Sequence, residues 1–403
     1  MVAVLTRIFG VQHLALVEDV VQDAFCQALD VWKFRGMPDN PRAWLMTCAK
    51  NRAIDVLRRE RRARRFETEL GSLAESEWTL VPAVEERFSP EALEGDLLRT
   101  MFWCCDPQLS ERAQVALILN VVCGFSAGEV AGALVASRAA TEKLISRGKK
   151  VLAQAGRLFE VGDRAEFSAR LPVVQRALYL LFNEGYHGAS AESVVRAELC
   201  REAMRLGALL QEHPTGDTGA TRALRALMSL HAARLPSRVG SEGQLVAFFE
   251  QDRARWDRDL IAAGERLLEQ AATGAELIDY HVEAAIAWVH GHAPTPEETD
   301  WAAIVSLYDH LLEMHPSPVV ALNRAIAIAQ QQGPERGLEE IQAIADRETL
   351  AVYPFYPAAL GELELRRGRR RAAREHFLRA HALARNPTER RFFEERMEAC
   401  SPG

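Results

Sequence analysis

Apolar residues recur at helical spacing along almost the whole chain. Near the start, Val4, Leu5, Ile8 and Phe9 make a short apolar face. Leu16, Val20, Val21, Ala24, Phe25 and Leu29 then make a longer one, with Glu18, Asp19, Gln22 and Asp23 facing away. Residues 1–32 therefore read as helix, turn, helix. The segment RGMPDNP at 35–41 is rich in Gly, Pro, Asp and Asn and reads as a loop. A further helix follows from Pro41, with Trp44, Leu45, Thr47, Cys48, Ile54 and Leu57 on its apolar side. Lys50, Asn51, Arg52, Asp55, Arg58 and Arg59 lie on or near the other side, and Arg61, Arg62, Arg64 and Arg65 form a basic exit.

Periodicity is lost between 66 and 90, where Glu, Ser and two prolines predict a flexible linker. It returns at 91–155. Leu93, Leu97, Leu98, Met101, Phe102 and Cys105 form one helix, and Ser110 can cap the next. Ser126 can cap a short helix, and after a turn at Val135–Ala136 Ser137 can cap a last one rich in Arg and Lys. Two short helices joined by a tight turn follow the grammar of a helix-turn-helix, and a plain helical hairpin has the same pattern. From about 165 to the end the chain is helical with short breaks. Single helices are expected at 243–272 and 276–290 among others, and the pair His290, His292 reads as part of a loop. Near the end, Pro318, Gly333, Pro357 and Gly368 punctuate paired helices. Ala373 and Ala380 bracket Phe377, as in stacked tetratricopeptide-type repeats. Asn183-Glu184-Gly185-Tyr186 closes an apolar helix and is read as a tie between helices rather than a ligand site.

Composition narrows the function more than the fold. A net charge of −7 argues against a protein that coats nucleic acid with its whole surface, while local basic patches remain. The seven cysteines form no CxxC pair and read as reduced thiols in a cytoplasmic protein. No stretch reads as a signal peptide or a membrane span. No catalytic residue, metal site or cofactor is expected: there is no Walker loop, no dinucleotide fingerprint and no nucleophile elbow. What remains is binding, by two basic helical modules able to grip two separated DNA sites.

Several of these motifs together resemble a known family. Glu18-Asp19-Val20-Val21-Gln22-Asp23-Ala24-Phe25, Trp44-Leu45, Ala49-Lys50-Asn51-Arg52-Ala53-Ile54-Asp55 and Leu57-Arg58-Arg59 are similar to domain 2 of bacterial RNA polymerase sigma factors. The extracytoplasmic-function class is the nearest type. The helix-turn-helix at 110–152 resembles domain 4 of that class. The extension with YLLFNEGY at 179–186 resembles a subgroup with a long C-terminal helical domain.

The resemblance implies an all-α chain with sigma domain 2 at 1–65, a linker at 66–90, sigma domain 4 at 91–156 and a tetratricopeptide-like domain at 165–403. It implies that Glu18, Asp19, Gln22 and Asp23 bind the clamp helices of the polymerase largest subunit. Asn51, Arg52, Asp55, Arg58 and Arg59 are implied at the minus-ten promoter element, beside a base pocket built by loop 35–42. Trp44 is read as holding its helix in the core. Arg138, Glu142, Lys143, Ser146 and Arg147 are implied at the minus-thirty-five element, with Lys149 and Lys150 nearer phosphate. The partners implied are core RNA polymerase and promoter DNA, with no membrane. The C-terminal domain would pack on the sigma domains or receive a protein partner. The first helix is short by several residues for the family, so either the start lies upstream or that helix is abbreviated. Two other classes fit parts of the pattern: a one-component helix-turn-helix regulator with a helical-repeat sensor, and a peptide-binding scaffold. The acidic helix at 18–25 speaks against the regulator, which would not need it, and the scaffold would show no promoter-specific transcription.

Overall fold

The computed structural model describes residues 1–67, 90–154, 164–187, 195–240, 244–274, 276–384 and 386–401, and only the backbone of 60–67 and 90–94. Among these residues the fold is all-α, with no strand. The chain divides into two compact units, 1–177 and 178–403. Most of the expected linker lies outside the described residues.

The first unit begins with α1 (Val2–Phe9), α2 (Leu14–Arg35) and α3 (Pro41–Glu67). Leu5 of α1, Val17, Val20, Val21, Ala24 and Ala28 of α2, and Leu45, Ala49 and Ala53 of α3 form one buried cluster. Each large aliphatic side chain there contributes roughly 1.5–3 kcal/mol. The α3 members recur every four residues, which puts a narrow stripe of mostly small residues against α2 and lets the helices approach closely. Trp44 is partly buried against this cluster, its ring centroid 5.5 Å from that of Trp32. It packs as the sequence led one to expect.

The remaining helices of this unit are α4 (Pro90–Trp103), α5 (Glu111–Leu117), α6 (Ala127–Ala133) and α7 (Arg138–Gln154). The expected caps are in place. The Ser110 side chain accepts from the Ala113 amide and Ser137 from the Ala140 amide. Ser126 and Glu129 close a reciprocal capping box at the start of α6. Gly148 lets α7 close on α5, since a Cβ there would stand 2.7 Å from Leu117 Cδ1. The modules expected at 1–65 and 91–156 pack within the one compact unit. Arg7 of α1 pairs with Asp96 of α4, whose buried carboxylate also meets Arg99 at 3.3 Å. Helix α8 (Arg164–His187) reaches this core from its N-terminal half: Phe167 stacks on Phe102, and Arg170 Nη1 donates to the Phe102 carbonyl at 2.8 Å.

The second unit follows with α9 (Ala197–Glu212), α10 (Gly219–Ala232) and the short α11 (Leu235–Arg238). The Asn183–Tyr186 segment does tie helices together. Gly185 accepts from the Arg196 amide at 2.8 Å, and any Cβ there would collide with the Cys200 backbone. The single helix expected at 243–272 is a correction: only Arg258–Ala271 (α12) is α-helical, started by the Asp257 cap. The stretch before it bends into 3-10 turns at 248–250 and 253–255. Buried Arg253 fixes that bend by donating to the His290 and Ala293 carbonyls and to Thr299 Oγ1. Tertiary hydrogen bonds here override periodicity. A second correction concerns His290 and His292, which end helix α13 (Asp279–His292) rather than lying in a loop.

The rest of the unit is α14 (Trp301–Met314), α15 (Pro318–Gln332), α16 (Pro334–Gln342), α17 (Phe355–Arg366), α18 (Arg370–Leu383) and α19 (Pro387–Ala399). Consecutive helices pack as pairs. Ala373, Phe377 and Ala380 are buried, and Phe377 fills the notch at Gly361, where a Cβ would meet its ring at 2.8 Å.

Candidate nucleic-acid interface

Two sets of exposed side chains in the first unit come from helices whose opposite faces are buried. On α3, burial of Leu45, Ala49 and Ala53 turns Asn51, Arg52, Asp55, Arg58 and Arg59 outward. Asn51 and Asp55 sit one turn apart. Neither side chain has a partner among the described residues, so both amide and carboxylate are free to bond a base edge. The Asn40 side chain caps α3 by accepting from the Ala43 amide at 3.1 Å, which anchors the 35–42 loop beside this face. Met37 projects from that loop, 71 % exposed.

On α2 the expected polar residues do not share one environment. Asp19, Gln22 and Asp23 are exposed, while Glu18 is partly buried. Asp23 meets Arg52 of α3 at 3.4 Å, joining two residues assigned to different partners. Both are solvated, so the pair is worth little. Two further residues belong to this face. Phe25 and Leu29, expected in the apolar core, are 49 % and 75 % exposed, and they lie one and two turns beyond Gln22. The core is filled by Ala24 and Ala28 instead. The α2 face is therefore acidic at one end and apolar at the other. Apolar identity alone predicts burial for both. A face assignment by the Ala24–Ala28 register would have found them.

On α7, Arg138, Glu142, Lys143, Ser146, Arg147 and Lys150 are exposed, while Ile145, Gly148 and Leu152 face the core. Arg138 Nε reaches Glu142 Oε1 at 2.9 Å. Glu142, the one acidic side chain among these exposed residues, is thereby partly neutralised on an otherwise basic face. The turn before α7 places Val135 at φ 49°, a strained region for a β-branched residue, with its side chain 91 % exposed. Lys149 behaves differently from its neighbours. Its Nζ lies 2.6 and 2.8 Å from the two carboxylate oxygens of Glu18. A cleft of about 450 Å³ runs beside this pair, with Gln12, Leu14 and Ala15 on one wall and Glu142, Ser146 and Lys150 on the other. The structure thus joins one residue of the α2 set to one of the α7 set.

Among the described residues there is no group of three or more His, Cys, Asp and Glu side chains able to hold a metal ion. No helix there is long and apolar enough to cross a membrane. The buried thiols are poor nucleophiles: burial pushes Cys105 up to about 12 and Cys104 well above the ordinary thiol range.

Residues 1–63 match sigma-70 region 2. Residues 170–272 match a family of unknown function (DUF6596). An uncharacterized protein of Rhizobium meliloti (strain 1021) is 36 % identical over 380 residues, covering 94 % of this chain and 88 % of its own. No solved structure matches the chain.

Proposed function

We propose, from the match of residues 1–63 to sigma-70 region 2, that the chain is a sigma factor that directs RNA polymerase to a specific set of promoters, and that its C-terminal helical unit modulates this activity. It acts as a transcription factor, not a catalyst. The observation that carries the reading is the α3 face. Asn51 and Asp55 stand free one turn apart, flanked by arginines and by a loop capped through Asn40, inside the matched region. In this reading an unpaired base is held by short polar side chains and loop backbone, which offsets an unstacking cost of a few kcal/mol. The α2 face, with Asp19, Gln22, Asp23, Phe25 and Leu29, docks on the clamp helices of the polymerase. Acidic groups set the orientation and the apolar end supplies buried area. Helix α7 enters the major groove upstream through Arg138, Glu142, Lys143, Ser146 and Arg147, with Lys149 and Lys150 on phosphate.

The Glu18–Lys149 pair adds a condition. One group belongs to the polymerase-binding set and the other to the upstream DNA set, and each occupies the other. Engagement of both partners then requires the two helices to part. The paired helices and the bracketed Phe377 of the extension from 178 onward support reading it as a tetratricopeptide-like stack, as in the subgroup in which such a domain is fused to the sigma domains. Its fusion in one chain supports a regulatory role.

The test is retention of core polymerase on the immobilised chain. Core enzyme is retained at low salt and lost when Gln22 and Leu29 are both changed to Lys. A chain that never retains core enzyme is instead a regulator that contacts DNA alone.

A further inference from the structure

The second unit holds a cavity of about 620 Å³ that plays no part in the reading above. Its size falls in the range of about 300–1,000 Å³ usual for small-molecule sites. Much of its wall is aromatic, with Tyr186, Phe248, Phe249, Tyr353 and Phe355 among the lining residues. Four arginines also line it, Arg234, Arg238, Arg366 and Arg396, against one carboxylate, Glu362.

These charges are unevenly compensated. Arg396 lies 2.7 Å from Glu250 and 3.6 Å from Glu362, so its charge is already compensated. Arg234 and Arg238 have no carboxylate in ion-pair distance among the described residues. Arg234 reaches only the Gln251 side-chain oxygen, at 3.3 and 3.4 Å, and lies over the Phe248 ring at 4.2 Å. Arg238 is 7 % exposed, and its Cζ sits 3.9 Å above the Tyr186 ring. Its Nε is buried and donates to nothing; the Tyr186 hydroxyl and His231 Nδ1 are likewise buried without a partner. Three polar groups around one guanidinium pair are thus left unsatisfied, which native interiors avoid unless something else fills the place. The field there is positive: burial, and then Arg234 and Arg238, push His231 down to about 3. A neutral imidazole adds no charge, so the cationic end waits for an anion.

We infer that this cavity binds a small organic anion. Its acidic head group meets Arg234, Arg238 and the Tyr186 hydroxyl, and its aromatic or acyl body lies along Phe248, Phe249, Tyr353 and Phe355. The stacking of Arg238 on Tyr186 holds the guanidinium in place before the ligand arrives, and Gln251 does the same for Arg234. A carboxylate, a sulfonate and a phosphate monoester share the required chemistry. This site is independent of the polymerase reading, since every residue named lies in the second unit.

The experiment uses the purified full chain and the fluorescent probe 1-anilinonaphthalene-8-sulfonate, followed by displacement with decanoate, decyl phosphate and 1-decanol. The site predicts saturable binding of one probe per chain. It predicts displacement at least tenfold better by either anion than by the alcohol. Arg238→Met weakens probe binding at least tenfold and removes the preference for anions. Equal displacement by decanoate and decanol overturns the proposal, as does unchanged probe affinity in a folded Arg238→Met chain. If that variant does not fold, the anion-against-alcohol comparison on the unaltered chain decides alone.

Discussion

Replacing Asn51 by alanine would remove an exposed amide and nothing from the core. Its side chain has no partner among the described residues, whereas Ala49 and Ala53 beside it are fully buried. Asn51→Ala should therefore leave stability within about 0.5 kcal/mol, as surface changes usually do. It should lower initiation by roughly 5- to 150-fold, the equivalent of about 1–3 kcal/mol for one base contact. Run-off transcription beside a core-binding assay separates the two effects: initiation falls while core affinity holds. At this scale the sequence was informative wherever a residue type has one physical use. Ser110, Ser126 and Ser137 were legible as caps because a hydroxyl before an apolar run has few other roles. Thr47 was misplaced on the apolar side. It is exposed, and its hydroxyl bonds the Ala43 carbonyl. Alanine was the harder residue, since Ala24, Ala28, Ala49 and Ala53 carry the α2–α3 contact without announcing it.

Elements were legible in kind and less so in their faces and ends. The two short helices and the basic third one of the helix-turn-helix pattern came out with their caps. The helix at 243–272 did not, because Arg253 spends its donors on carbonyls more than thirty residues away, which no local window contains. The meeting of α2 with α7 was equally hidden, since Glu18 and Lys149 are 131 residues apart. That pair gives a test at this scale. Lys149→Met frees Glu18 and should tighten core polymerase binding by roughly 1.4- to 5-fold, since a pair a quarter exposed is worth about 0.2–1 kcal/mol. The same change should weaken upstream DNA binding and reduce its salt slope by about 0.9, the value of one phosphate contact. Filter binding across a salt series and a core titration read both. Opposite movements are expected. A joint fall in both affinities would leave no place for a mutually occupying pair.

On the scale of the whole molecule, the two units answer to different physics. The second buries ionisable groups with few opposite charges. His231 and His290 are each pushed down to about 3, by burial first and then by neighbouring arginines. Their neutral forms stabilise the fold above the ordinary histidine value of about 6.5, and that stability is lost as pH falls through the window from 6.5 toward 3. Glu283, pushed up to about 7 by burial beside Tyr179, works in the opposite sense: its contribution is present below about 4.5 and lost as pH rises through 7. A thermal melt of the His231→Gln, His290→Gln double variant should show a flatter acid limb than the unaltered chain. An equally steep limb would place the acid sensitivity elsewhere. The central claim is tested most directly by run-off transcription from a genomic promoter pool. The comparison is between core polymerase alone, core with the full chain, and core with a chain ended after Ala177, which keeps Phe167 and Arg170 on the first unit's core. Discrete start sites are expected only with the chain, at a level that the shortened form alters without losing the sites. Transcripts identical to those of core polymerase alone, on every promoter, would contradict that claim.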